Sequence, residues 1–285
     1  MKQLIYKFLI AVTLGVGFMI SGCDDAAEPF GEKLPMVVEG WIEDGEAPIV
    51  IVTHAVDLTA DSASFEDIVE KWGRVSIFDG EERVVLSGSL NRDYMPSFIF
   101  TTPRLKGKPG HSYRLLIETE QETVESYAAI PAEEVSIVSL AAERVEGADS
   151  LYQIRAKVRG IDPSGCYKFF VKSRDKETRF FGSFLGSFRG SEYDDEKGFV
   201  ITKGKHSAYS GQPTERYFKP GEMVTVKLCS MEEAVFEFWK VYDSQITLSD
   251  NLFFNFTGDQ PTNISGGRGY WGAYNTSLRT IYISP

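Results

Sequence analysis

Hydrophobic residues along this chain occur in short runs, and from Leu34 onward these runs are rich in β-branched and aromatic side chains. Glycine, proline or acidic residues interrupt the runs about every ten residues, which is typical of strands joined by turns. Seven such runs fall within residues 34–132: Met36–Ile42, Ile49–His54, Arg74–Phe78, Arg83–Ser87, Phe98–Thr101, Ser112–Thr119 and Thr123–Ala129. Seven short strands over this length predict an immunoglobulin- or fibronectin-like β-sandwich.

The residues between these runs agree with that prediction. Asp44-Gly45 and Asp79-Gly80 favour the positive φ angles of tight hairpins. The stretch Ser64–Trp72 interrupts the pattern between the second and third strands, and its Ser64 and Asp67 are typical of a helix start. We therefore expect a short helix or loop insertion at that point of the sandwich.

A second β-rich segment, residues 133–285, follows Ile130-Pro131 and contains one helical pattern. Ser230 and Glu233 have the spacing of a capping box, and apolar residues then recur at helical spacing, which predicts a helix near residues 231–245. The predicted strands of this segment are Tyr152–Arg159, Tyr167–Ser173, Phe180–Phe184, Gly198–Lys203 and Met223–Cys229. The expected fold is mainly β, with a second sandwich or barrel domain that packs one α-helix.

The N-terminus has the pattern of a bacterial lipoprotein signal. Lys2 and Lys7 precede the apolar run Phe8–Ile20. Glycines interrupt this run, and it is shorter than a typical transmembrane helix. Ile20-Ser21-Gly22-Cys23 matches the lipobox, in which small residues precede the cysteine that is acylated. We predict a signal peptide over residues 1–22, lipidation of Cys23, and a flexible polar tether over residues 23–33. The alternatives are a plain secretory signal or a short membrane anchor.

Charge and composition restrict the partners. The formal net charge is −11, and loss of Lys2 and Lys7 with the signal would make it −13. Without a basic stripe such a chain repels phosphate backbones, so nucleic acid is excluded as a partner. The single histidines His54, His111 and His206 and the unpaired cysteine spacing do not indicate a zinc site, and nothing in the sequence indicates a cofactor.

Two cysteines remain after Cys23 is assigned to lipid. Cys166 and Cys229 could form a disulfide in a compartment that permits one, or they could be buried thiols acting as small apolar residues. The sequence leaves both alternatives open.

Motifs for catalysis or metal binding are weak. Gly182-Ser183-Phe184 and Gly186-Ser187-Phe188 lack the Gly-x-Ser-x-Gly spacing of a nucleophile elbow. Glu192, Asp194, Asp195 and Glu196 crowd one segment, but without the ligand alternation of a calcium loop, so a solvated acidic turn is the favoured interpretation.

The C-terminal segment combines glycines with large aromatic residues. If exposed, Tyr270, Trp271 and Tyr274 could stack on a sugar ring or fill a partner's pocket. Alternatively, the glycines allow a tight bend and the aromatic residues close the base of a sandwich or barrel. The second interpretation is favoured on residue type.

Four segments together resemble the Bacteroidota lipoproteins grouped as the domain of unknown function 4249 family. They are the lipobox with the acids that follow it, Val37-Val38-Glu39-Gly40-Trp41-Ile42, the Phe218–Val226 stretch with Phe236-Glu237-Phe238-Trp239, and Asn263–Tyr274. The resemblance covers most of the chain beyond the signal. It implies an outer-membrane lipoprotein, often encoded beside a SusC-like TonB-dependent transporter, with no established enzymatic activity.

We therefore expect a lipid-anchored protein of the outer membrane, exposed at the cell surface as Asp24-Asp25 suggests within that phylum. Its expected role is that of a non-catalytic accessory binding or assembly subunit of a TonB-dependent nutrient transporter, with a glycan or peptide as ligand. One alternative is a surface hydrolase or peptidase whose site is assembled only by folding. Another is a structural or adhesive surface module.

Overall fold

The computed structural model describes residues 35–55, 68–174, 176–203, 216–248 and 260–284. The signal peptide, Cys23, the tether, Ser64, Asp67 and His206 lie outside these residues, and the expectations for them stay predictions. Residues 68–72, the described end of the predicted insertion, contain turns and an isolated bridge between Thr53 and Val69. In the described part of the chain, no helix combines the length and hydropathy needed to cross a membrane.

The described residues form a mainly β structure with several sheets and one helix, as the sequence predicts. The helix α1 is Glu233–Leu248. The strands are β1 Met36–Glu43, β2 Ile49–His54, β3 Arg74–Asp79, β4 Glu82–Val85, β5 Ser87–Leu90, β6 Phe98–Thr101, β7 Ser112–Glu118, β8 Thr123–Ala129, β9 Ser136–Val145, β10 Ala148–Arg159, β11 Cys166–Ser173, β12 Phe181–Arg189, β13 Phe199–Ile201, β14 Met223–Met231 and β15 Arg268–Tyr282.

The start of helix α1 differs from the start that the sequence predicts. The predicted capping residue Ser230 belongs to strand β14, where its side chain is buried without a hydrogen-bond partner among the described residues. The first helical hydrogen bond runs instead from the Phe236 amide to the Glu232 carbonyl. The Ser230–Glu233 capping box was therefore wrong, because the strand pairing with β11 extends as far as Met231.

The strands of the described residues form three sheets. The largest has eight strands in the order β12-β11-β14-β15-β1-β2-β6-β5, and the smaller sheets have the orders β4-β3-β7-β8 and β13-β10-β9. Side chains alternate between the two faces of a strand. On one face of the large sheet, Val38 and Trp271 join a first core with the four-stranded sheet, and Phe169 and Val226 join a second core with the three-stranded sheet.

The opposite face of the large sheet carries helix α1, and we call it the helix-bearing face. Phe236 and Phe238 of the helix pack there with Phe170, Tyr270 and Tyr274 of the strands in a third, separate apolar cluster. Sequence patterns indicated that this helix packs on a sheet, and its cluster membership confirms that packing.

Strand β15 joins the two β-rich segments. It pairs in parallel with β1 and antiparallel with β14, so the eight-stranded sheet continues across the boundary expected between residues 132 and 133. Gly269 makes the parallel pairing feasible, since its φ is +99° and a Cβ there would lie 1.9 Å from the Val38 carbonyl oxygen. The two segments therefore have separate cores but share one sheet. The sequence analysis expected two successive domains and did not predict this shared sheet.

Candidate binding site

Helix α1 is anchored to the helix-bearing face by a buried ion pair. The Lys168 Nζ donates to Asp243 Oδ1 and Oδ2 at 2.9 and 3.0 Å and to Ser187 Oγ at 3.0 Å. Lys168 is completely buried, and its ammonium lies 4.9 Å from the centre of the Trp239 ring. Burial lowers the pKa of Lys168, and the Asp243 carboxylate opposes that effect. The pair fixes which side of the helix faces the sheet.

A second buried ion pair lies further along the same face. The Lys227 ammonium donates to the Glu43 carboxylate and lies over the Phe180 ring, 4.5 Å from its centre. Burial lowers the pKa of Lys227, but Glu43 together with Cys229 and Tyr94 outweighs that effect, and the pKa is raised. Each of these two carboxylates is therefore matched by a lysine that also contacts an aromatic ring.

A third carboxylate on this face, that of Glu39, lies in a recess with aromatic walls. The Tyr270 hydroxyl donates to Glu39 Oε1 at 3.5 Å, a long hydrogen bond. Glu39 is an exposed residue, yet protein atoms surround it densely enough that desolvation raises its pKa, an effect that Arg179 and Tyr270 oppose. Solvent access together with desolvation is expected of a carboxylate at the bottom of a recess.

The walls come from four segments of the chain. Trp41 of β1 contacts Tyr94 of the β5–β6 loop, with ring centres 6.0 Å apart. On the helix side, the Trp239 ring lies 5.4 Å from Tyr242 and 5.5 Å from Tyr270. Burial, followed by the charges of Glu39 and Asp243, raises the pKa of Tyr242 to about 12. We call the set Glu39, Trp41, Tyr94, Tyr242 and Tyr270 the aromatic recess.

Arg179 is the cation beside this recess. Its guanidinium lies 5.8 Å from the centre of the Tyr94 ring and 5.0 Å from that of Phe181. Burial raises the pKa of Glu39, Tyr94, Tyr242 and Tyr270, and the charge of Arg179 opposes that rise at each of them. The recess therefore contains one carboxylate, one nearby guanidinium and several aromatic faces, an arrangement that can bind a polar ligand.

The three aromatic residues singled out at the C-terminus are buried, and they divide between the two faces of β15. Trp271 is 0% exposed, and its Nε1 donates to the Tyr113 carbonyl at 3.1 Å within the first core. Tyr270 and Tyr274 face the helix, and Tyr274 accepts a hydrogen bond of 3.1 Å from Trp239 Nε1. Trp271 fills the first core and is therefore not exposed for direct contact with a ligand.

Most of the recess has no signal in the sequence taken alone. Glu39 and Trp41 alternate with apolar residues in β1, which indicates a common face but not a site. Tyr94 and Arg179 belong to loops of distant segments. Only folding brings them within reach of Tyr270, the one recess residue that the sequence analysis named as a possible ligand contact.

Cys166 and Cys229 are free, buried thiols, so the disulfide that the cysteine count left open is absent. The register explains why, since Cys166 lies opposite Met231 and Cys229 lies opposite Lys168. The two cysteines are thus diagonal neighbours, about 7–8 Å apart between Cα atoms. A disulfide usually needs a Cα separation of about 4.4–6.8 Å. The alternative of two buried thiols describes the structure.

We expect Cys166 and Cys229 to resist alkylation by iodoacetamide at mildly alkaline pH while the protein is folded. Burial, followed by the hydrogen bond to Glu233, raises the pKa of Cys166 to about 12, and burial raises that of Cys229 as well. The reactive thiolate is therefore scarce and shielded. Peptide mass spectrometry should find both labelled only after unfolding in guanidinium without reductant. Rapid labelling of the native protein, or none after unfolding, would contradict the assignment.

The described histidines and the acidic segment have local partners. His54 contacts Glu70 at 3.3 Å and Glu122 at 3.8 Å, and His111 contacts Asp79 at 2.8 Å. Neither hydrogen-bonds a serine among the described residues. In the acidic segment, Asp194 Oδ1 accepts the amides of Glu196 and Lys197, which makes it a local turn. Within the described ranges, no three metal-ligating side chains converge.

A separate concavity of about 260 Å³ lies between Ser173 and the turn Lys219–Met223. Its carboxylate, Glu222, is matched by the ammonium groups of Lys176 and Lys203, each 2.9 Å away. Because this carboxylate already has its counter-charges, the aromatic recess is the stronger candidate for ligand binding.

Comparison with known proteins adds a family but no activity. The family described as Domain of unknown function (DUF4249) matches the chain over residues 28–280. A crystal structure of titin domains is similar over 89% of this chain and 68% of that chain, at 8% identity and a TM-score of 0.23. A likeness this weak carries no argument about fold or function. No curated protein sequence matches the chain.

Proposed function

Since the chain belongs to the domain of unknown function 4249 family, we propose that it is a lipid-anchored, non-catalytic lipoprotein of the outer membrane. In this proposal it serves as an accessory binding or assembly subunit of a TonB-dependent, SusC-like nutrient transporter, exposed at the cell surface. The observation that carries the binding role is the aromatic recess, where solvent reaches a carboxylate among rings from four segments.

The lipid anchor is supported by the sequence around Cys23. Ile20-Ser21-Gly22 precede that cysteine with the small residues that a lipoprotein peptidase requires, and the apolar run before them is short. Each buried acyl methylene contributes about 0.8 kcal/mol, so an N-terminus with several acyl chains holds the protein at a membrane. The acidic body then faces the aqueous side.

Processing at Cys23 is the first test. We expect intact-mass analysis of membrane fractions to give the mass of residues 23–285 plus fatty acyl chains, because the lipobox directs acylation and then cleavage. Cys23→Ala should abolish acylation and leave the signal uncleaved, while Cys229→Ala should be processed like the wild type. A wild-type chain that retains Met1, or that is cleaved without acyl chains, would refute the anchor.

Association with a transporter is the second test, and it uses the acylated protein in its native membrane. After mild detergent extraction, we expect a TonB-dependent transporter to copurify in near-stoichiometric amount, identified by mass spectrometry. Surface exposure predicts that protease added to intact cells degrades the protein. If the lipoprotein is purified from this detergent extract without a transporter, the proposed transporter role is contradicted.

A further inference from the structure

Two carboxylates at the helix-bearing face, those of Asp243 and Glu43, follow one rule. Asp243 is matched by Lys168 and Glu43 by Lys227, and each lysine also lies over an aromatic ring, Trp239 and Phe180 respectively. Both lysines are buried. The face therefore neutralises a carboxylate by a cation that contacts an aromatic ring, an arrangement in which ion pairing and cation–π attraction add.

The carboxylate of Glu39, on the same face, lacks such a partner. Across the described ranges, no lysine, arginine or histidine nitrogen lies within 4.0 Å of it, and its one hydrogen bond is the 3.5 Å contact from Tyr270. A carboxylate can accept about four hydrogen bonds. Arg179 is near enough to lower the pKa of Glu39 but is positioned over Tyr94 and Phe181 instead.

We propose that Glu39 and the rings of the aromatic recess bind a basic side chain of a peptide ligand, that is, a lysine ammonium or an arginine guanidinium. This inference rests on the proposed function, because it names the ligand class of the same binding subunit. A ligand cation would give Glu39 the partner that Asp243 and Glu43 already have.

The surroundings of Glu39 favour a cation over a neutral sugar. Trp41, Tyr94 and Tyr242 are each partly exposed, and the faces of their rings attract positive charge. Protein atoms also desolvate the Glu39 carboxylate. Neutral hydroxyl groups would leave that charge uncompensated.

The net charge of −11 attracts any basic peptide, so the test must separate this general attraction from the recess. Glu39→Gln removes the recess charge and keeps the shape of the side chain. Glu81→Gln is the matched control, since Glu81 is an exposed residue of the β3–β4 hairpin and the change in net charge is identical. Circular dichroism of each variant establishes that it is folded.

The experiment is calorimetric titration of the full chain, purified in detergent, with end-blocked trilysine and triarginine peptides. We expect binding that Glu39→Gln weakens about tenfold or more, the loss that follows removal of a charge-assisted partner. Glu81→Gln should leave the affinity unchanged. The acetyl-lysine version of the peptide and the neutral sugar maltohexaose should not bind.

Arg179→Gln provides a second variant that acts in the opposite direction. It removes the competing cation from the recess, so the peptides should bind this variant more tightly than the wild type.

Three outcomes would overturn the proposal: equal affinities of Glu39→Gln and Glu81→Gln for the basic peptides, no binding of either basic peptide, or binding of maltohexaose that Glu39→Gln weakens. The affinities compared here depend on neither the lipid nor a transporter. A failure here therefore leaves the copurification result standing, and the reverse also holds.

Discussion

Replacing Asp243 by alanine is expected to lower the free energy of unfolding by about 3–5 kcal/mol, because it leaves the Lys168 ammonium buried without a counter-ion. Lys168 is 0% exposed and donates three hydrogen bonds, two of them to Asp243. The Ser187 amide would also lose its 3.2 Å hydrogen bond to Asp243 Oδ2. Urea unfolding followed by tryptophan fluorescence measures the change, since Trp239 lies beside the pair.

Two controls separate the loss of the ion pair from the loss of a charge. Asp195→Ala removes an exposed acid and should change stability by no more than about 0.5 kcal/mol. The double variant Lys168→Met with Asp243→Leu removes both charges and should be clearly more stable than Asp243→Ala alone, because no unpaired charge stays buried. Equal stabilities for Asp243→Ala and Asp195→Ala would show that the pair does not anchor the helix.

Trp271→Ala should cost about 3–5 kcal/mol through the cavity it opens in the first core. Trp271 is completely buried and hydrogen-bonds the Tyr113 carbonyl. Gly40 leaves room for its ring, since a Cβ there would lie 2.9 Å from Trp271 Cε3. The cavity would open where β15 pairs with β1, so we expect the strand pairing that joins the two segments to weaken as well. Urea denaturation gives the free energy of unfolding.

The matched control is Trp72→Ala. Trp72 is 94% exposed, so the same substitution there should change stability by no more than about 0.5 kcal/mol. Hydrogen exchange then locates the effect, because loss of protection in β1 and β15 is expected for Trp271→Ala alone. Similar midpoints for the two variants would contradict the assignment of Trp271 to the core.

Strands were the easiest feature to predict from the sequence, and boundaries between larger units were the hardest. The patterns at Met36–Ile42 and Ile49–His54 predict β1 and β2 closely. Strand β5, which is exposed along its whole length, has no hydrophobic pattern and was missed. Strand β15 was missed as a strand because its glycines and aromatic residues are also typical of a bend.

The amino-acid sequence by itself determined the mainly β character of this protein, its single described helix on a sheet, and its family. The strands and the helix follow from local periodicity and turn chemistry, which depend on neighbouring residues, and the family follows from the resemblance of four segments. Only the tertiary structure decided that β15 unites the two segments and that Tyr270 and Trp271 face different clusters. It alone brought Glu39, Tyr94 and Arg179 together, because contacts between distant segments depend on strand order and register, and local patterns do not encode either.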